Sequence, residues 1–241
     1  MANRELSAAI RQAIAHYPFS DSALFADAYR RLADTDAPSP VYVEVCCGSG
    51  HLAAWLAQTV PNATVFGIDY WDVHIDDARK KYRHLKNLHF RSGDALDLHD
   101  HPDESVDWVV GQATMHHLAN NLPGAAHEFA RVLKPGGQCA FIFEPLGHNP
   151  LIGAIRGVLN SRRQWIDESV LYEHALASFA EDFSDYQIDY YNLLGYVAKL
   201  LPQNEALKMI PQVLGACDRT LFQRWPAVRK HAANFNVFYR K

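Results

Sequence analysis

An α/β fold built on a doubly wound, mostly parallel sheet is what this sequence predicts, with helices before it and a helical cap inserted near its end. Three observations carry the prediction. Strand and helix signals alternate between residues 41 and 145. A glycine-rich turn, Glu44-Val45-Cys46-Cys47-Gly48-Ser49-Gly50, follows the first strand signal. After Glu144 the rhythm breaks, and a last strand signal returns only at the carboxyl terminus.

In order, residues 3–15 and 20–33 read as amphipathic helices separated by Pro18, with Ser20 or Asp21 as cap. Asp36-Ala37-Pro38-Ser39-Pro40 is a linker. Val41–Cys46 is β-branched and apolar, a buried strand. His51–Thr59 is helical and stops before Pro61; Ala63–Asp69 is a second strand and Trp71–Leu85 a helix with a charged face. Asn87–Ser92 and Val106–Gly111 are the third and fourth strands. Gly124–Leu133 is a helix stopped by Lys134-Pro135-Gly136-Gly137, and Gln138–Phe143 is a fifth strand. Residues 145–182 read as loop and helices, Tyr186–Tyr191 as a strand, and residues 193–223 as helical, broken at Pro202 and Pro211. Ala233–Tyr239 alternates apolar and polar residues, which predicts a final edge strand. The long segment before that strand exceeds a simple crossover, and such insertions usually cover a site. The expected organisation is one domain over residues 1–241: an N-terminal helical cap (1–39), a ligand-binding core (41–145), a cap insertion with the sixth strand (146–230) and the last strand (232–241).

Composition narrows the function. The chain of 241 residues is 49% hydrophobic and 21% charged, enough apolar material for a sizeable core. Its net charge of −4 and pI of about 6.3 give no support to nucleic-acid binding. The start, Met1-Ala2-Asn3-Arg4-Glu5, leads into a mixed polar pattern, with no secretory signal. Leu193–Leu201 is too short to span a bilayer and contains Lys199. A cytoplasmic protein without membrane contact is expected, and a homodimer stays open. Cys46, Cys47, Cys139 and Cys217 show no C-x-x-C spacing, and 13 histidines form no metal-binding motif, so no metal is expected.

Five motifs carry the chemistry, the first four at strand ends, where ligands of open α/β sheets bind. The turn at 44–50 brings backbone N–H groups and a helix N-terminus towards a ligand. It lacks the third glycine of the dinucleotide fingerprint, since position 53 is Ala53. Asp69, 25 positions after Glu44, is placed to accept from two ribose hydroxyls, or else to cap the helix beginning near Trp71. Ser92-Gly93-Asp94-Ala95 is a short polar loop suited to an adenine edge, or an ordinary Asp turn. Val106–Leu118 carries Gln112, His116 and His117, and Arg131–Gly137 turns a helix into the fifth strand.

Together these five resemble the class I S-adenosylmethionine-dependent methyltransferase family, over residues 41–145 and in the final strand. The resemblance implies a Rossmann-like fold with a seven-stranded, mostly parallel sheet and S-adenosylmethionine as cofactor. It implies that Glu44 orients the loop and the methionine amino group, that Gly48 and Gly50 admit the ligand, and that Asp69 holds the ribose. Tyr70 would pack on the adenine, Asp94 and Ala95 would contact its edge, and Gln112 would approach the methionine end. One position departs: the family usually has glycine where this chain has Cys46, whose side chain restricts φ and takes up room near the methionyl group.

Methyl transfer needs an aligned acceptor, exclusion of water and sometimes a base. Aromatic residues outside the shared sheet (Tyr17, Phe19, Phe25 and Tyr29; Trp165, Tyr172, Tyr186, Tyr190 and Tyr191) are candidates for a small-molecule acceptor pocket or for core packing. Glu144-Pro145-Leu146-Gly147-His148-Asn149-Pro150 follows the fifth strand, with Glu144, His148 and Asn149 as candidate polar groups; His116 and His117 are further candidate bases. For Glu144 the alternative is a strand-end carboxylate satisfied by backbone donors, and for Asn149-Pro150 a helix-entry turn. A second reading is a cyclase acting on S-adenosylmethionine alone, forming azetidine-2-carboxylate and methylthioadenosine, with Asn149 and Tyr186 as a proton-relay pair and Tyr17 or Tyr190 facing the sulfonium. A third is a non-catalytic S-adenosylmethionine-binding protein.

Overall fold

The computed structural model describes residues 22–161, 170–200, 207 and 209–241. Tyr17, Phe19, Trp165 and the helix expected over 3–15 lie outside them. The elements are α1 (Ser22–Ala33), β1 (Val41–Val45), α2 (His51–Thr59), β2 (Thr64–Asp69), α3 (Asp72–Tyr82), β3 (Leu88–Ser92) and β4 (Val106–Gln112). Then come a 3₁₀ segment (Met115–Asn121), α4 (Leu122–Val132), β5 (Leu133–Pro145), α5 (Pro150–Ser161), α6 (Glu173–Phe179) and β6 (Asp185–Tyr191). A 3₁₀ turn (Ala180–Asp182) joins α6 to β6, and another (Gly195–Leu200), α7 (Ile210–Arg224), a further 3₁₀ turn (Pro226–His231) and β7 (Asn234–Arg240) complete the described elements.

One seven-stranded sheet has the order β3-β2-β1-β4-β5-β7-β6. The first five strands are parallel to one another, while β7 runs antiparallel to both β5 and β6. Period-two alternation divides the core between the two faces. Tyr42, Trp108, Val110 and Ile142 pack with Ala28, Tyr29 and Leu32 of α1 and with Leu52 and Leu56 of α2. Val43, Val45, Val109 and Phe141 pack on the other face with Phe129 of α4, Phe179 of α6 and Phe222 of α7. Helices thus cover both faces, as a mostly parallel sheet requires.

Three sequence expectations need correction. The last strand is not an edge strand. It is inserted between β5 and β6, and its residues 234–239 are all buried. Its polar positions, Asn234 and Asn236, face protein groups instead of water: Asn236 Oδ1 accepts from the Phe143 N–H (2.9 Å) and the Tyr191 hydroxyl (3.0 Å). The fourth helix starts earlier than Gly124, because Asn121 caps it by accepting from Gly124 N and Pro123 fits its first turn. Pro211 likewise opens α7 rather than breaking a helix.

Candidate active site

The carboxyl ends of five neighbouring strands supply the site. In sheet order they bring Asp94 after β3, Asp69 on β2, Glu44 to Gly50 after β1, Gln112 on β4 and Glu144 on β5. The order reverses between β1 and β4, which leaves a crevice above the β1 turn.

That turn must reverse the chain within a few residues. Gly48 (φ +50°) and Gly50 (φ +72°) do so in the left-handed region. A Cβ on Gly50 would press into the Phe90 ring, whereas one on Gly48 would meet nothing within 4 Å, so the Gly48 peptide borders open space. Cys46 adopts φ +51°, the conformation that glycine would take freely. The expected restriction of φ is therefore not avoided; the side chain is held in the strained region, at a cost of about 1–2 kcal/mol.

Two carboxylates bind the turn in place. Glu44 shares the β1 face of Tyr42 and reaches the N-terminus of α2, where Oε2 accepts from Ala53 N–H at 2.7 Å. Burial lifts its carboxyl to about 8, against the pull of that N–H and with a further push from Asp69. Asp69 accepts from Gly48 N–H at 2.8 Å through Oδ2, and from Trp71 N–H (3.0 Å) and His74 Nδ1 (3.1 Å) through Oδ1. It joins the β1 and β2 turns, and Gly93 N–H donates to its carbonyl at 2.9 Å, bringing in the β3 loop. There Asp94 forms an Asx turn, accepting from Leu96 N–H at 2.9 Å, and Ala95 is buried. Tyr70 and Trp71 are exposed beside Asp69, with ring centroids 5.5 Å apart. Cys46 lies near Asp69, Glu144, Glu44 and Asp94; burial first, then these carboxylates, pushes its thiol up to about 12, so it stays protonated.

On the β4 side, Gln112 Oε1 accepts from the Tyr29 hydroxyl at 2.6 Å, tying α1 to the crevice. Ala113 (φ +52°) and Phe143 (φ +65°) repeat the left-handed geometry after β4 and within β5. Non-glycine strain thus recurs at the ends of three adjacent strands, a pattern concentrated at functional sites. The β5–β7 register shifts between Phe141 and Glu144, and this bulge turns Glu144 inwards. Its wholly buried carboxylate accepts from Thr114 N–H (2.6 Å), Met115 N–H (2.8 Å), His116 N–H (3.2 Å) and His116 Nδ1 (2.9 Å).

Other expected residues lie elsewhere. Asn149 enters α5 as a turn residue: Oδ1 accepts from Leu151 and Ile152 N–H, and Nδ2 donates to the His231 carbonyl at 3.0 Å. His148 Nε2 accepts from Glu173 N–H at 3.2 Å. Tyr186 pairs with Tyr239, itself opposite Cys139, so it belongs to the amino-terminal half of the sheet. Six residue steps along β5 take the chain from Cys139 to Pro145, a rise of about 20 Å. The structure does not bring Asn149 and Tyr186 together, which corrects the expected relay pair. Sequence reasoning missed His74, Thr114 and Asn236. His74 was signalled by its place in the first turns after Asp69; Thr114 and Asn236 carried no motif. Among the described residues, no group of three or more His, Cys, Asp and Glu side chains converges as a metal site.

Comparison with known proteins agrees with this geometry. Residues 43–137 match the family described as a methyltransferase domain. A demethylmenaquinone methyltransferase of Chlorobaculum parvum is 37% identical over 116 residues, 47% of this chain and 44% of that protein. A 2-phytyl-1,4-naphtoquinone methyltransferase of Synechococcus elongatus is 29% identical over 149 residues, 59% of this chain and 61% of that protein. The chain thus spans less than two thirds of these relatives' length. Geranyl diphosphate C-methyltransferase from Streptomyces coelicolor shares the fold with a TM-score of 0.62 at 15% identity, over 90% of this chain and 78% of that one. Residues 43–137 are thus similar to the methyltransferase-domain family, and the seven-stranded sheet has the fold of the geranyl diphosphate C-methyltransferase.

Proposed function

We propose that this chain, carrying a methyltransferase domain over residues 43–137, transfers the methyl group of S-adenosylmethionine to a small-molecule acceptor. The observation that carries the reading is the alignment of Asp94, Asp69, Glu44–Gly50 and Gln112 on four adjacent strand ends around the switch point. The residues present fit the cofactor. Gly48 leaves room where a side chain would stand, and the surrounding carboxylates suit a ligand bearing an ammonium and a sulfonium. Asp69 holds the ribose, Tyr70 packs on the adenine with Asp94 and Ala95 at its edge, and Glu44 and Gln112 face the methionyl end. The sulfonium supplies an activated methyl group; the protein has to align the acceptor and keep water out.

The Chlorobaculum and Synechococcus relatives are named for methylation of demethylmenaquinone and 2-phytyl-1,4-naphtoquinone, and this supports a small apolar ring system as acceptor. Unpaired Cys46, Cys47, Cys139 and Cys217 support a reducing, cytoplasmic setting, and no helix among the described residues is long and apolar enough to cross a membrane. Calorimetry with S-adenosylmethionine and S-adenosylhomocysteine tests the reading: saturable binding is expected, weakened at least about tenfold in Asp69→Ala, which removes a group hydrogen-bonded to ligand. Absence of binding refutes it. Release of methylthioadenosine from S-adenosylmethionine without an acceptor refutes methyl transfer and leaves the site.

A further inference from the structure

We propose that His116 is the general base of the reaction and Glu144 its positioning residue, so that the acceptor is a molecule whose attacking atom carries a proton, an O–H or N–H group. The proposal rests on the methyl-transfer reading and deepens it.

Three structural facts carry it. First, the His116 ring is fixed. Its Nδ1 lies 2.9 Å from Glu144 Oε2 in a buried pair, and Glu144 is itself held by three backbone N–H groups, so the carboxylate cannot turn away. With three backbone N–H groups already donating to this carboxyl group, the Nδ1 contact completes the set as a fourth donor, which puts the ring proton on Nδ1. The other nitrogen, Nε2, is then a lone-pair acceptor. Second, Nε2 is available. It is the ring nitrogen that Glu144 does not engage, and among the described residues no hydrogen bond is made to it. Third, the pair borders the cofactor turn. Thr114, whose N–H donates to Glu144, also donates through Oγ1 to the Val45 carbonyl at 3.3 Å, immediately before Cys46.

The arrangement is built at some cost. Phe143 and Ala113 sit in the left-handed region, a bulge interrupts β5, and Asn236 of the last strand holds that bulge through Phe143 N–H. A carboxylate needed only to close a loop requires no imidazole; the added ring points to proton transfer. In the step, the acceptor oxygen or nitrogen bonds to the methyl carbon as the carbon–sulfur bond breaks, with its electron pair passing to sulfur. The acceptor proton moves to His116 Nε2. Glu144 offsets the imidazolium charge until water removes the proton.

His116→Asn is the informative variant, because its amide N–H still reaches towards Glu144 while Nε2 is gone. With catechol and 1,4-dihydroxynaphthalene as hydroxyl probes, it is expected to lower kcat by about 10²–10⁴, with S-adenosylhomocysteine affinity within about twofold. Undiminished turnover by His116→Asn overturns the proposal, as does wild-type turnover confined to dimethyl sulfide, which loses no proton. A second measurement needs no acceptor. Diethylpyrocarbonate should carbethoxylate His116 at Nε2 in the wild type and much more slowly in Glu144→Gln, whose amide faces Nδ1 and shifts the proton to Nε2. An unreactive His116 in the wild type, or equal rates in the two proteins, refutes the base. Loss of S-adenosylhomocysteine binding by the wild type would instead refute the methyl-transfer reading itself.

Discussion

Replacing Glu44 by Gln should remove a large pH dependence of stability. Glu44 is 3% exposed, and burial raises its carboxyl from 4.5 to about 8, with Ala53 N–H opposing and Asp69 adding to the rise. Between those values the folded protein keeps a proton that the unfolded chain has lost. The stability this group contributes is therefore complete below about 4.5 and is lost as pH rises through about 8. Within the window the slope is about 1.4 kcal/mol per pH unit, so about 3 kcal/mol disappears between pH 5.5 and 7.5. With a urea m-value of about 3 kcal/mol/M, that is a midpoint shift of about 1 M. Gln carries no proton to lose and still offers an oxygen to Ala53 N–H. Urea unfolding of both proteins across this range should give midpoint curves that diverge by about that amount. Other titrating groups are common to both proteins and cancel in the difference. Parallel curves would refute a neutral Glu44. By the same logic, a cation seated beside Glu44 restores its charge, and S-adenosylmethionine binding near pH 7 should release a proton, visible as a buffer-dependent enthalpy.

Further outcomes can be checked on the same protein. Arg156 is buried and donates to the Leu146 carbonyl (2.8 Å) and to that of Ala233, pinning α5 to the sheet edge; Arg156→Met should cost about 2–4 kcal/mol in urea unfolding by orphaning both acceptors. Tyr29→Phe deletes the 2.6 Å bond to Gln112 and should cost about 1 kcal/mol while the fold, read by circular dichroism, is unchanged. Cys46→Gly should relieve about 1–2 kcal/mol of left-handed strain against about 0.5–1 kcal/mol of glycine entropy. The expected net is a small rise in Tm that Cys46→Ala, which keeps its Cβ, does not reproduce. Burial, and then Arg91, lower the pKa of His101; stability should fall as pH drops below about 6.5, and His101→Phe should flatten that limb of the urea-midpoint curve.

The strand ends were legible because each carries a local signal. Glycines at 48 and 50 announce a left-handed turn, Asp69 and Asp94 sit beside turn residues, and apolar runs of five to seven residues mark the strands between them. The side-chain pairings of the candidate site were less legible because they depend on which strand ends become neighbours. Glu144 and His116 are 28 residues apart, and Gln112 and Tyr29 are 83 apart. No pattern at that separation distinguishes a paired carboxylate from a free one. Tyr186 reads like any other cap tyrosine until register places it at the far end of the sheet.

The first and last features of this chain show the division. By itself the sequence determined the α/β alternation, the cofactor turn and the carboxylates around it, because periodicity, glycine and turn chemistry act over a few residues. Only the tertiary structure decided that the last strand runs inside the sheet, that its asparagines hold a bulge, and that this bulge turns Glu144 onto His116. Those outcomes depend on strand order and register, which are set by the burial of whole faces against helices and not by any local stretch of chain.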